Sequence, residues 1–204
     1  GADTILAAGA GADSIVAGAG ADTVTSATGA DNIDLGAGAD HLYVGEDGLD
    51  SDDTVAGGTG TDTLFLEATY DLSGSSGSAG ENVTGIDAIE VNNGADADGN
   101  GDDNLGVDYT ITVDDTFVGN SDSDSITIDT VANTAEEFTV SAAVSSGMTV
   151  TVGGTETDFH LAAGVDNRIT LADVADDDND GDISDQAGIT VTGGSGDDTV
   201  TGSA

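Results

Sequence analysis

Cysteine, proline and tryptophan are absent from this chain of 204 residues, and lysine plus arginine amount to a single residue, Arg168. Without cysteine, the disulfide staple usual in small secreted modules is excluded. Without proline, every turn must be made by Gly, Asn, Asp or Ser. Aromatics make up 3% of the chain and much of its 37% hydrophobic content is alanine, so a thick core of large side chains is not available. One basic residue stands against 41 acids, for a formal charge of −40. Nothing in such a chain can neutralise phosphate, which excludes nucleic acid as a partner and disfavours anionic membrane surfaces. No apolar run is long enough to span a bilayer, and there is no signal-peptide pattern. The chain begins at Gly1 rather than Met, which reads as a fragment or a processed product.

Low bulk hydrophobicity with high net charge is ordinarily the composition of a disordered chain. A strict period argues for order instead. Aspartates stand at Asp13, Asp22, Asp31 and Asp40, nine residues apart, and again at Asp53, Asp62 and Asp198. Each is followed two residues later by an aliphatic: Ile15, Val24, Ile33, Leu42, Val55, Leu64 and Val200. Glycines precede them at Gly9 and Gly11, Gly18 and Gly20, Gly36 and Gly38, Gly58 and Gly60, Gly194 and Gly196. The run Gly193-Gly194-Ser195-Gly196-Asp197-Asp198-Thr199-Val200-Thr201 fits G-G-x-G-x-D-x-U-x, with U an aliphatic, at every fixed position. That nonapeptide is the signature of a calcium-binding parallel β-helix. Glycine permits positive φ in a tight loop and lets carbonyls approach an ion. The residues after each Asp form a very short strand whose middle aliphatic points inward, and two copies make one turn. Two stacked carboxylates about 5 Å apart repel by roughly 3 kcal/mol at an effective dielectric near 20, so the stack requires a divalent cation between them.

Asp3 with Ile5 is a further copy lacking its front, and Gly202-Ser203-Ala204 is one lacking its back. Counted across a join of Ala204 to Gly1, Asp198 and Asp3 are nine residues apart. The expectation is one unit of a tandem array or one subunit of a head-to-tail stack. The step from Asp40 to Asp53 carries four extra residues, expected as a bulged loop on the edge of the coil.

Residues 67–192 read differently. Strand-like runs are expected at 83–91, 109–118, 125–129, 137–144, 148–152, 168–171 and 189–192, with Thr outside and aliphatics inside where alternation is clean. No helical period of useful length occurs. Two degenerate nonapeptides, 99–105 with Asp103 and 119–126 with Asp124, favour a solenoid that continues with longer turns; an inserted β-sandwich is the alternative. The segment Ser73–Gly80 is expected to be a flexible loop. Asp176, Asp178, Asp180 and Asp182 have the D-x-D-x-D-G spacing of an EF-hand-type loop, although the twelfth position is Ala187 and the bidentate ligand would have to come from Asp185. Asp96, Asp98 and Asn100 form a looser version. Against these stands the bland reading of solvated acidic loops.

The nonapeptide copies resemble the RTX family, the hemolysin-type calcium-binding repeats of secreted bacterial proteins. The resemblance covers residues 1–66 and 193–204. It implies that Asp3, Asp13, Asp22, Asp31, Asp40, Asp53, Asp62 and Asp198 are calcium ligands together with the loop carbonyls, and that the aliphatics pack inside. The chain departs from the pattern at the first glycine, which is Ala8, Ala17, Ser26 and Leu35 in successive copies, and the copy at Ser26–Gly29 keeps only one glycine. Val83–Val91 and the Thr-rich runs look like segments of bacterial surface-layer proteins.

Catalysis finds no support. His41 occupies a variable repeat position and is expected to face solvent, and His160 has no nucleophile motif around it. The expected fold is all-β: a right-handed parallel β-roll with several bound Ca²⁺ ions over residues 1–66, a longer-turned β-solenoid or inserted β domain over 67–192, and a further RTX turn over 193–204. The expected role is a secreted, cell-surface structural module whose partners are further copies of itself, in a surface layer, sheath or filament; an extender module of a giant adhesin is the alternative. Attachment to cell-surface glycan is left open. Ice binding is disfavoured because the repeat loops carry Ala rather than an aligned row of Thr.

Overall fold

The structure is a computed structural model that describes residues 1–6, 10–45, 47–91, 109–120, 126–129, 138–143, 148–151, 157–161, 168–172, 189–192 and 199–202, with the backbone alone for the strands beyond Ile128. The N-terminal elements are β1 (Thr4–Leu6), β2 (Ser14–Val16), β3 (Thr23–Ser26), β4 (Asn32–Asp34), β5 (Ala37–Gly38), β6 (His41–Val44), β7 (Thr54–Ala56), β8 (Thr59–Gly60) and β9 (Thr63–Leu66). Then follow β10 (Tyr70–Asp71), β11 (Val83–Thr84), β12 (Ala88–Val91), β13 (Tyr109–Asp114) and α1 (Asp115–Gly119). The last are β14 (Ile126–Asp129), β15 (Phe138–Ala143), β16 (Met148–Thr151), β17 (Thr157–Leu161), β18 (Arg168–Ala172), β19 (Ile189–Thr192) and β20 (Thr199–Gly202).

All pairing between these strands is parallel, and the chain is a β-solenoid. A nine-stranded sheet, β1-β3-β6-β9-β12-β14-β16-β18-β20, runs from the first copy to the last. A four-stranded sheet, β2-β4-β7-β11, forms the second wall of the N-terminal turns, and β10-β13-β15-β17-β19 takes over as the second wall of the later ones. The middle segment therefore contributes strands to the same nine-stranded sheet as the repeats. Among the described residues, no helix is long and apolar enough to cross a membrane.

The inward columns follow from the period. Val24, Leu42, Leu64, Ile89 and Ile128 share one register position on the long sheet, and Ile15, Ile33, Val55 and Val83 share one on the four-stranded wall. All nine side chains are buried and belong to one cluster. Each contributes about 1.5–3 kcal/mol on leaving water. The departures from the first glycine are explained here: Leu35 and Ser26 are buried and Ala17 packs against the cluster, so that position serves the core rather than the loop.

The outward face of the long sheet aligns threonines on its strands, not in its loops. Thr4, Thr23, Thr63 and Thr127 share a column, interrupted by His41 and Ala88. His41 is half-buried rather than solvated: its ring lies edge-on to Phe65 at 5.1 Å, and Phe65 stacks on Tyr43 at 4.4 Å.

Several expectations for the middle region are corrected. The run 83–91 is two strands, because Gly85 at φ 69° turns the coil from one wall to the next. The run 109–118 is a strand followed by one helical turn, started by Asp114, whose carboxylate accepts N–H bonds from Thr116 and Phe117. That turn buries Phe117 and Val118, and Asn120 accepts the Gly85 N–H at 2.6 Å. The helix thus covers the edge of the four-stranded wall. The expected nonapeptide at 119–126 instead begins in this helix end, and its eighth-position aliphatic, Ile126, is buried. Two strands were not anticipated, β10 and β17. The 73–80 segment is a hydrogen-bonded turn and not a flexible loop: Gly74 N–H reaches Asp114, Gly77 N–H reaches Glu81, and the buried Ser78 hydroxyl shares its one proton between the Ser73 and Ser75 carbonyls.

The insertion after β6 is also more than an edge bulge. Leu49 enters the core at 4% exposure. Ser26, one turn earlier, donates its hydroxyl to the Gly48 carbonyl at 3.0 Å. Tyr70, one turn later, donates its hydroxyl to the Gly45 carbonyl and accepts the Gly48 N–H at 3.2 Å. Burial holds the Tyr70 phenol well above its ordinary value, with the Gly48 hydrogen bond acting the other way. Removing that hydroxyl strands two buried backbone groups, at about 1–3 kcal/mol. Tyr70→Phe is expected to lower unfolding free energy by that amount in denaturant titrations at saturating calcium. The raised phenol value gives stability that is full below pH ~10 and declines above it, as the unfolded chain ionises first; the variant should lose that alkaline slope.

Candidate metal centre

Each loop aspartate is fixed by its neighbour along the coil. The backbone N–H of Asp3 donates to Asp22 Oδ1 at 2.6 Å, that of Asp22 to Asp40 Oδ1 at 2.7 Å, and that of Asp40 to Asp62 Oδ1 at 2.9 Å. On the opposite edge, Asp13 N–H donates to Asp31 Oδ1 at 2.9 Å and Asp31 N–H to Asp53 Oδ1 at 2.7 Å. The steps are 18, 19 or 22 residues, so two nonapeptides make a turn and the carboxylates form two rows. Asp22, Asp31, Asp40, Asp53 and Asp62 are buried, Asp13 is half-buried and Asp3 is exposed.

The second oxygen of these carboxylates is the informative atom. Oδ2 of Asp13, Asp22, Asp31 and Asp40 is buried without any hydrogen-bond partner. A buried polar atom left so costs about 1–3 kcal/mol, more when charged. The single basic side chain of the protein cannot serve four such oxygens, so the balancing charge has to come from solution.

The loops bring carbonyls to the same rows. Gly18, Gly36 and Gly58 lie at φ near +100°, and Gly20, Gly38 and Gly60 at 127–157°. The loop segments pair with one another: Ala37 N–H donates to Gly18 O at 2.8 Å and Thr59 N–H to Gly36 O at 2.9 Å, with β5 against β8. A Cβ placed on Gly38 would fall on the Gly20 carbonyl oxygen and lie 3.1 Å from Asp40 Oδ1. Only glycine fits where a carbonyl of one rung and a carboxylate of the next converge. Gly29, the one glycine kept in its copy, makes the same approach to the Gly11 carbonyl, near Asp31 Oδ1.

Among the described residues, no three His, Cys, Asp or Glu side chains converge on one point. A cation there would rely on one or two carboxylates and on backbone carbonyls. An all-oxygen shell without nitrogen or sulfur suits a hard, many-coordinate ion, and calcium takes 6–8 such ligands. The residues present fit calcium: Asp13, Asp22, Asp31 and Asp40 would supply carboxylate oxygen, and Gly11, Gly18, Gly20 and Gly36 would supply carbonyls. Burial pushes the Asp53 carboxyl above its usual range, while N–H bonds from Asp31 and Asp50 partly hold it down.

One residue in this system was missed by the nonapeptide reading. Asp87 accepts the Asp62 N–H at 3.2 Å and extends the first row by a rung. Its signal was legible as Gly85-Ile86-Asp87-Ala88-Ile89. The loop before it is shorter than a repeat loop, three residues between β11 and β12, and Ile86 is buried at 2% exposure where the longer loops carry glycines. One turn further, Thr127 lies opposite Ala88, so the position of Asp87 is taken by the buried Ile126. Val200 belongs to that same column, through Ile169 and Met148, whereas the repeat aliphatics align with Ile128. The last copy is thus shifted by two residues along the long sheet.

Gly9, Asp96, Asp98, Asn100, Asp103, Asp124, Asp176, Asp178, Asp180, Asp182, Gly194, Gly196 and Asp198 lie outside the described residues.

Two substitutions test the centre. Gly38→Ala forces a side chain into positive φ and against a carbonyl, at more than about 1 kcal/mol. Asp40→Asn removes the charge of a buried candidate ligand while keeping its shape. Both should raise the calcium concentration at the midpoint of the circular-dichroism folding transition, whereas Ala39→Ser, on an exposed neighbour, should leave it in place.

Residues 1–33, 22–48, 47–68 and 190–204 match the family model of the RTX calcium-binding nonapeptide repeat, in four copies. No curated protein and no solved structure matches the chain. The carboxylate rows from Asp3 to Asp62 lie within the matched residues 1–68, and residues 1–68 and 190–204 are similar to the RTX calcium-binding nonapeptide repeat.

Proposed function

We propose that this chain is an extracellular structural module that calcium folds and stiffens, and that stacks with further copies of itself in a surface layer, sheath or filament. The observation that carries the reading is the set of buried carboxylate oxygens at Asp13, Asp22, Asp31 and Asp40 that no protein group satisfies. With these oxygens unbalanced the coil repels itself; with calcium between the rungs it becomes a rod. RTX repeat proteins are typically secreted, and extracellular calcium modules typically bind at ~10⁻⁴–10⁻³ M. Folding is then off at cytosolic calcium and on outside the cell, which suits export of an unfolded chain.

Stacking is supported by the ladder itself. Parallel rungs are interchangeable, and β1 is the first strand in the order of the long sheet, a ladder that a rung of another copy would extend. Repeat arrays add such units along one axis. No catalytic role is part of this reading, in which the acids serve as ligands.

The test is a calcium titration of the purified chain. The expected outcome is coil-like circular dichroism in excess chelator, cooperative gain of β structure with calcium, and ordered polymers by electron microscopy at saturation. A chain that folds yet remains monomeric favours the spacer of a giant adhesin instead. Full β structure in chelator would remove the calcium mechanism altogether.

A further inference from the structure

The second carboxylate row contains one member unlike the rest. Asp53 is buried at 3% exposure, like Asp31 at 2%. Its Oδ1 does what the others do and accepts the N–H of the aspartate one turn earlier, Asp31, at 2.7 Å. Its Oδ2 differs. It accepts the N–H of Asp50 at 2.7 Å, whereas Oδ2 of Asp13 and of Asp31 in the same row has no partner.

The donor comes from the four-residue insertion, and the insertion is built to present it. Asp50 in turn accepts the Asp52 N–H at 2.7 Å, which tightens the turn. Leu49 is locked in the core, and Gly48 is held from both sides by Ser26 and Tyr70. The backbone N–H of Asp50 therefore stands where, in the unmodified copies, the carboxylate oxygen is left for a cation.

We infer that Asp53 is not a calcium ligand: the 45–53 insertion replaces the ion of that rung with a backbone N–H, and ends the second metal row at Asp31. The first row runs on past this level through Asp40 and Asp62, so the two edges of the coil carry unequal numbers of ions. Asp53 becomes a structural acceptor that orders its rung without calcium. The buried side chains around it (Leu49, Val55, Tyr70) and the pinned loop make this the part of the roll least dependent on the ion. This inference rests on calcium occupying the other loops.

Two measurements decide it. In crystals of the wild-type chain grown with calcium, anomalous scattering should place an ion against Asp31 and none within ligand distance of Asp53. By native mass spectrometry, Asp53→Asn should bind as many calcium ions as wild type, and Asp31→Asn at least one fewer. An ion on Asp53 Oδ2 in the wild-type crystal, or loss of one ion in Asp53→Asn, overturns the inference. Should Asp53→Asn fail to fold, the wild-type crystal decides alone. Absence of ions from every loop would sink the calcium reading itself, a result distinguishable from an ion found at both Asp31 and Asp53.

Discussion

The bond from one aspartate's N–H to the carboxylate of the aspartate a turn later is the interaction on which the rest depends. At Asp22, Asp31 and Asp40 it uses one carboxylate oxygen to set the register between rungs and leaves the other buried and unmatched. Register and cation demand are thus imposed by the same side chain. Because the ladder is parallel and the loops pair as well as the strands, the carboxylates of Asp31 and Asp40 stand near glycine carbonyls of the preceding rung, and a hard divalent ion would meet both needs at once. The thin aliphatic columns could not hold such acidic edges together unaided. Their contributors are a few Ile, Leu and Val residues per turn, and the conformational entropy of each ordered residue opposes them at about 1–2 kcal/mol.

The coil changes its means of support along its length. In the first turns, carboxylates and carbonyls bound the edges. At the Asp87 rung the loop shortens and Ile86 fills the space of the glycines. At the next rung the carboxylate column becomes apolar with Ile126, and a helical turn closes the four-stranded wall. β13, six residues long, buries Ile111 and Val113, and β14 buries Ile126 and Ile128. The insertion at 45–53 is a local version of the same substitution, with Tyr70, Ser26 and Leu49 taking over from an ion.

Much of the N-terminal site was legible because a nine-residue period is a direct projection of geometry. A carboxylate and an aliphatic that return to the same place every nine residues must lie on the same edge and the same inner wall of a coil. The departures were not legible in this way. Ser26 and Leu35 read as defects of a glycine position and are core residues. His41 read as solvated and packs on Phe65. Thr4, Thr23, Thr63 and Thr127 come from copies of unequal length, and only the strand register puts them in one column.

The sequence by itself determined that the chain coils, that the aliphatic two residues after each repeat aspartate faces inward in residues 1–66, and that the acids require a cation of oxygen-loving chemistry, since composition allows no internal counter-charge. Only the tertiary structure decided where the rows end. Whether a carboxylate oxygen is free or satisfied depends on which backbone N–H reaches it. At Asp53 that donor is three residues away in sequence and is aimed by contacts from the turns on either side, which no spacing rule within the repeat can express.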